Sequence, residues 1–190
     1  MNELEEKFLT HYGIKMRSGR YKYGSGDRPY QHTVFVSGSS KTQTKESPYY
    51  RKELPKEITN VLDDYMKRGD RIVVGDAPGI DRQVQKYLNK MKYKDVEIYG
   101  PGKQVRYTAN KKWKTNPIDA SEFEEGSPEW LRKKDVAMTN AADEGLAIIL
   151  DEGAKATRNN VDRLRSQGKA ATVYELSKNG KDKDRWVNKR

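Results

Sequence analysis

The chain has 190 residues, 34% hydrophobic and 35% charged, which suits one domain with a modest core and solvated extensions. It has no cysteine, so disulfides and thiolate metal sites are excluded, and its two histidines, His11 and His32, both near the N-terminus, argue against a histidine zinc site or a Ser–His–Asp triad in the core. The formal net charge of +10 favours anionic partners such as nucleotides, nucleic acid or an acidic protein surface.

The start, "MNELEEKFLT", is acidic and lacks the basic-then-apolar pattern of a secretory signal, which fits a reducing, cytosolic setting. No apolar run approaches the roughly 18 residues of a membrane span, so no membrane partner is expected. Residues 13–32, "GIKMRSGRYKYGSGDRPYQH", are basic, aromatic and rich in glycine, and read as an extension that is flexible or held by a partner. "TVFV" at 33–36 is the first expected strand, followed at once by the small-residue loop "SGSSKTQT". A helix is expected from Ser47-Pro48, with serine as N-cap and proline in the first turn. Leu54, Ile58, Val61, Leu62, Tyr65 and Met66 continue its apolar face until Gly69.

"RIVV" at 71–74 is the second strand, and it runs into the glycine-bracketed turn "GDAPGID" at 75–81. Ile80, Val84, Tyr87, Leu88 and Met91 then mark a second amphipathic helix. "DVEIYG" at 95–100 is the third strand. Residues 101–127 show no sustained period and form a long insertion, of the kind that is commonly functional or disordered. Ser127-Pro128-Glu129 opens another helix, running through about Asp143. "GLAIIL" at 145–150 is the most apolar strand, "DEGAKAT" is its exit loop, "RNNVDRLRSQG" is a helix closed by Gly168, and "AATVYEL" at 170–176 is the last strand. The end "KNGKDKDRWVNKR" is basic and reads as a tail.

Short apolar strands alternating with amphipathic helices indicate a parallel sheet covered on both faces. The expected fold is α/β, a doubly wound, Rossmann-like, mainly parallel sheet of about five strands or slightly more, with helices on both faces. The expected organisation is an extension over 1–32, a domain over 33–176 and a basic tail over 177–190. In this architecture ligands sit beyond the carboxyl ends of the strands, which is where the loops at 37–40, 75–79 and 151–157 fall.

Ser37, Gly38, Ser39 and Ser40 offer backbone N–H groups and hydroxyls with little bulk, which suits an anion held close to the chain. In the second loop, Gly75 and Gly79 keep Cβ atoms out of a ligand's way, Ala77 is a further candidate contact, and the following helix N-terminus favours negative charge. Asp76 and Asp81 suit ribose hydroxyls as acceptors, although Asp81 also has an ordinary reading as a first-turn helix carboxylate. In the third loop Gly153 and Ala154 are small, Thr157 carries a hydroxyl, and Arg158 is a candidate phosphate partner. Neither GxxxxGK[ST] nor GxGxxG is present, so the loops suit a nucleotide or nucleoside derivative by neither common route.

"GDAPGIDRQVQKYL", then "KDVAMTNAADEGLAIIL" at 134–150, then "GAKATRNNVDRLRSQGKAATVY" resemble the SLOG (SMF/DprA–LOG) superfamily, whose small stand-alone members carry G-x-A-x-G-x-D and K/R-D-x-x-M motifs in this order. The resemblance covers about residues 33–176. It implies a Rossmann-like domain that binds nucleotides or nucleotide-derived molecules, and adds Lys134, Asp135 and Asn160 to the expected ligand site. Some relatives hydrolyse N-glycosidic bonds, as the cytokinin-activating LOG enzymes do, whereas others bind single-stranded DNA or are proposed to sense signalling nucleotides. Asn160 stands where the LOG enzymes carry a catalytic glutamate, and asparagine cannot act as a base. Asp81, Asp135 and Glu152 remain as candidate catalytic carboxylates. No metal and no cofactor are expected.

"HYGIKMRSGRYKYGSGDRPYQH" at 11–32 resembles a short segment at the ends of tailed-phage and prophage head-cluster proteins. This implies a phage-encoded protein in the cytoplasm of a bacterial host, or in the virion, that meets capsid proteins through residues 1–32. The same residues alternate basic and aromatic types, a pattern suited to single-stranded nucleic acid. The leading expectation is binding of a nucleotide-derived small molecule, with sequestration of a host signal as its extension. The alternatives are a nucleotide N-glycosidase and a structural or nucleic-acid-binding phage protein. A homo-oligomer is compatible with each.

Overall fold

The β-branched and aromatic run at 33–36 forms the centre of the sheet. In the computed structural model, which describes residues 31–40, 53–150, 153–177 and 185–189, strand β1 spans Thr33–Gly38. Helix α1 (Lys56–Arg68) and strand β2 (Arg71–Gly75) follow, then helix α2 (Ile80–Lys90) and strand β3 (Val96–Pro101). Strand β4 (Lys114–Ile118) precedes helix α3 (Pro128–Ala141) and strand β5 (Glu144–Ile149). Helix α4 (Lys155–Ser166) and strands β6 (Ala170–Ser177) and β7 (Arg185–Lys189) complete the series. All of these elements belong to one unit, Thr33–Arg190.

The strand order is β4-β3-β2-β1-β5-β6-β7, with β1 to β6 all parallel and β7 antiparallel to β6. The chain therefore builds outward from β1 to β4 and returns to place β5 on the other side of β1. This is an α/β architecture with a six-stranded parallel sheet flanked by helices, consistent with a Rossmann-like fold. The reversal of direction lies between β1 and β5.

Alternation along the strands divides the core. Val34, Val36, Ile72 and Val74 pack with Ile58 and Leu62 of α1 and with Val84 and Leu88 of α2. The intervening Phe35 and Val73 pack with Met138 of α3 and Leu164 of α4, and Ala147, Ile149 and Val173 pack with Val161 of α4. A period of two along each strand sends neighbouring side chains to opposite faces, so each short strand must be apolar throughout.

Several boundaries differ from expectation for identifiable reasons. The parallel sheet has six strands, within the expected five or slightly more, and its additional strand β4 lies inside the 101–127 segment read as an insertion. Its sequence "KTNPI" is polar and contains Pro117, both tolerable because β4 is an edge strand. Within the expected basic tail, Arg185–Lys189 forms β7, a second edge strand. Helix α1 opens after Pro55, and Ser47 and Pro48 lie outside the described residues. Helix α3 opens where expected, and Ser127 caps it, its Oγ accepting the Trp130 backbone N–H at 3.2 Å. No helix among the described residues is long and apolar enough to cross a membrane.

Candidate functional site

The three expected loops all lie at the carboxyl edge of the sheet, but they are used differently. At the ends of β1 and β5, neutral polar groups bind one another. Asn160 Nδ2 donates to Ser37 Oγ at 3.0 Å, and the Leu150 backbone N–H donates to Ser39 Oγ at 3.1 Å. The Ser39 N–H donates to the Ile148 carbonyl and so extends the β1–β5 ladder. Ser37, Ser39, Thr157 and Asn160 are buried, whereas Ser40 and Gly153 are exposed. Arg158 is paired with Glu175 at 2.6 Å rather than standing free for a phosphate. Glu152 lies outside the described residues.

The glycines of the first two loops have packing partners. A side chain on Gly38 would overlap Ile80. Gly79 has φ +90°, and a Cβ there would lie 2.5 Å from the Ser39 carbonyl oxygen and 2.7 Å from Ser40 Cα. The Ile80 N–H completes this contact by donating to the Ser39 carbonyl at 3.1 Å. The bareness of Gly79 thus brings two loops of the chain together, where the sequence reading assigned it to approach by a ligand.

At the end of β2 the buried groups are charged. Lys134 Nζ lies 2.6 Å from Asp135 Oδ1, both on α3 and both buried. Asp81, in the first turn of α2, accepts the Ala77 N–H at 3.2 Å. A Cβ on Gly75 would overlap Asp81 Oδ2 and lie 2.9 Å from Lys134 Nζ, so the missing side chain makes room for both groups. Burial pushes the Asp81 carboxyl up to about 7, with Lys134 opposing this and Asp135 adding to it. Burial disfavours the Lys134 charge, yet Asp135 and Asp81 together raise its pKa above the ordinary lysine value.

Asp76 is fully buried beside this group and forks onto Arg106. The Arg106 backbone N–H and Nε donate to Asp76 Oδ2 at 2.8 and 2.9 Å, and Nη2 pairs with Oδ1. The Arg106 guanidinium also stacks on the Trp130 ring, 5.5 Å from its centroid. Gln85 ties the same region together, donating to the Gly75 carbonyl at 2.8 Å and accepting the Ala109 N–H at 3.0 Å.

Arg106 and Trp130 form part of the wall of a cavity of about 850 Å³ at the carboxyl ends of β3 and β4. Pro101, Pro117 and Phe123 add apolar surface, and Lys103, Asp119 and Glu125 add charge. Its size falls in the usual range for ligand sites. Sequence reading missed Arg106 as a site residue because the 101–127 segment has no period to place it, and Trp130 because a tryptophan in the first turn of α3 reads as an ordinary core residue. The available signal was an arginine shortly beyond the carboxyl end of a strand. In chemical terms, the edge offers a proton carrier near neutrality at Asp81, a fixed cation at Lys134, and spare Arg106 N–H donors beside the cavity.

No protein-family model and no curated protein matches the chain. The resemblance to the SLOG superfamily therefore stands on the three sequence motifs.

Proposed function

We propose that this is a doubly wound SLOG-like domain that binds a nucleotide or a nucleotide-derived small molecule at the carboxyl edge of its sheet. The observation that carries the reading is the buried Asp76–Arg106 fork, which links the charged end of β2 to the cavity over β3 and β4. In this reading Arg106 and Lys103 attract the anionic group, Asp119 and Glu125 accept from sugar hydroxyls, and the ring rests on the apolar walls. Asp76 orients Arg106, and the Asp81–Lys134–Asp135 group supports the floor.

A second reading is N-glycosidic cleavage, favoured by one feature: burial pushes the Asp81 carboxyl up to about 7 beside the buried Lys134. A carboxyl poised there can pass a proton to a departing base. Calorimetry of the full chain with nucleoside monophosphates and NAD, followed by chromatography for free base, tests both. Binding without free base supports the first reading, free base lost in Asp81→Asn supports the second, and no binding of any nucleotide rejects both.

The phage assignment is a separate part of the proposal, placing the protein in a bacterial host cytoplasm or the virion. Residues 1–30 lie outside the described residues, so it rests on the 11–32 segment of the sequence. Deletion of 1–32 is expected to abolish co-purification with phage heads and leave nucleotide binding unchanged.

A further inference from the structure

Two lysine-rich segments far apart in sequence meet at the amino-terminal end of β3 and β4. "KYLNKMKYK" at 86–94 closes α2 and leads to β3, and "KKWK" at 111–114 leads into β4. Asn110 Nδ2 donates to Asn89 Oδ1 at 3.1 Å, and Trp113 Nε1 donates to the Tyr93 carbonyl at 2.9 Å. These bonds fix the two segments side by side. Lys86, Lys90, Lys92, Lys94, Lys111 and Lys112 are all exposed, and no ion pair engages them among the described residues.

The neighbouring acids do not neutralise this face. Glu97 is buried and already held by Lys114 at 3.1 Å and Arg71 at 3.4 Å, and it also accepts from Asn116. Asp63, half-buried on α1, accepts from the Tyr87 hydroxyl at 2.7 Å, and with the exposed Asp95 it stands against six unpaired lysines. The negative end of α2 accounts for Lys90 and its immediate neighbours. It does not account for Lys111 and Lys112, which arrive on another segment.

We propose that this lysine face binds the phosphate backbone of nucleic acid without reading its sequence. Spaced ammonium groups recognise a polyanion as point charges. The aromatic residues between them are engaged within the protein: Trp113 is buried, the Tyr93 hydroxyl donates to the Asp70 carbonyl at 2.5 Å, and the Tyr87 hydroxyl donates to Asp63 Oδ1 at 2.7 Å. No stacking platform is therefore offered to bases, and the contacts are those that position a backbone. A membrane surface fits less well, since membrane-surface helices bury a broad apolar face, and Met91 is the one large apolar side chain exposed here. The six residues of β3 separate this face from the cavity by about 20 Å at roughly 3.3 Å per residue, so the inference does not depend on the nucleotide reading.

The test is fluorescence anisotropy of the full chain with a labelled single-stranded and a duplex oligonucleotide across a salt series. Two charge-matched variants are compared. One carries Lys92→Glu, Lys94→Glu, Lys111→Glu and Lys112→Glu, and the other carries Lys56→Glu, Lys67→Glu, Arg132→Glu and Arg165→Glu on exposed helix positions. The first is expected to weaken binding at least tenfold and to lower the log–log salt slope by about 3, at roughly 0.7 to 0.9 per phosphate contact. The second is expected to bind within about threefold of the parent. Glutamine in place of glutamate at the four lysines should give the same loss of slope. Equal losses in both charge-matched variants, parent-like binding by the glutamine version, no binding by the parent, or tighter binding to phosphatidylserine vesicles than to DNA at equal salt would each overturn the proposal.

Discussion

The ends of β1 and β2 lie side by side in one sheet and solve the problem of buried polarity in opposite ways. At β1, Ser37 and Ser39 are satisfied by Asn160 and Leu150, and the bare Cα of Gly79 lets the next loop close over them. Each neutral hydrogen bond of this kind contributes about 1 kcal/mol net, and the arrangement is what packing alone would select. At β2, Asp76, Asp81, Lys134 and Asp135 are withdrawn from water together. Burying a charge costs several kcal/mol per ion even after relaxation, so packing alone does not select it. Small residues at a strand end record how closely chain approaches chain as much as how closely a ligand approaches. Buried charge beside a cavity is the more discriminating mark.

The largest expected effect tests the closed description of the β1 end. Gly79→Ala must take φ +90° and place a Cβ against the Ser39 carbonyl, so it should destabilise the fold by about 3 kcal/mol or more. Urea unfolding measures this directly. A loss under about 1 kcal/mol would mean that the two loops separate easily and that the contact is incidental.

The next effect separates the two partners at the β2 end. Arg106→Ala leaves the Asp76 carboxylate fully buried with only the backbone N–H of residue 106 as a donor, and should cost about 3 kcal/mol. Asp76→Ala frees an arginine whose side chain is 35% exposed and can rehydrate, so the cost should be nearer about 1 to 2 kcal/mol. Equal costs would show that Asp76 is not the group that burial penalises.

Titration of Asp81 sharpens the same contrast. Its folded pKa, near 7, lies above its unfolded value, so its contribution is greatest at low pH and is lost as pH rises toward 7. The unfolded chain releases the proton first, near pH 4, while the folded chain still holds it. Asp81→Asn keeps an acceptor for the Ala77 N–H and removes the titration. The midpoint of urea unfolding should therefore fall less between pH 4.5 and 7.5, as rough limits, in the variant than in the parent. Parallel curves for the two proteins would place the Asp81 proton elsewhere.

The elements legible in the sequence were those whose burial leaves a period. The β1, β2 and β5 runs are apolar on both faces over most of their length, β3 and β6 are largely so, and α2 and α4 repeat every three to four residues. β4 was not legible, because "KTNPI" at an edge owes its conformation to pairing with β3 and not to its own composition. Placing loops at the ends of strands put Gly75, Asp76 and Asp81 together, whereas Lys134 and Asp135, inside α3, entered only through the resemblance. Their partition from Ser37, Ser39 and Asn160 was not legible, because sequence spacing says where a side chain starts and not which neighbour satisfies it. Arg106 was hidden for the same reason: its two partners, Asp76 and Trp130, come from other elements.

The smallest expected effect concerns Asn160, buried where the ends of β1 and β5 meet. Here its amide bridges two groups, donating to Ser37 Oγ and accepting from Arg163 Nη1 at 2.9 Å. Asn160→Ala removes both bonds, leaving the Ser37 hydroxyl buried without this partner, while the half-buried Arg163 can turn toward water. A loss of about 1 to 2 kcal/mol is expected. Asn160→Asp should recover most of it, because the carboxylate still accepts from Arg163 and the serine hydroxyl can reverse to become the donor. Nucleoside monophosphate affinity should stay within about threefold of the parent in both variants, a shift of under about 1 kcal/mol. If Asn160→Ala instead loses affinity and keeps its stability, the neutral latch at β1 and β5 contacts the ligand, and the division between the two strand ends fails.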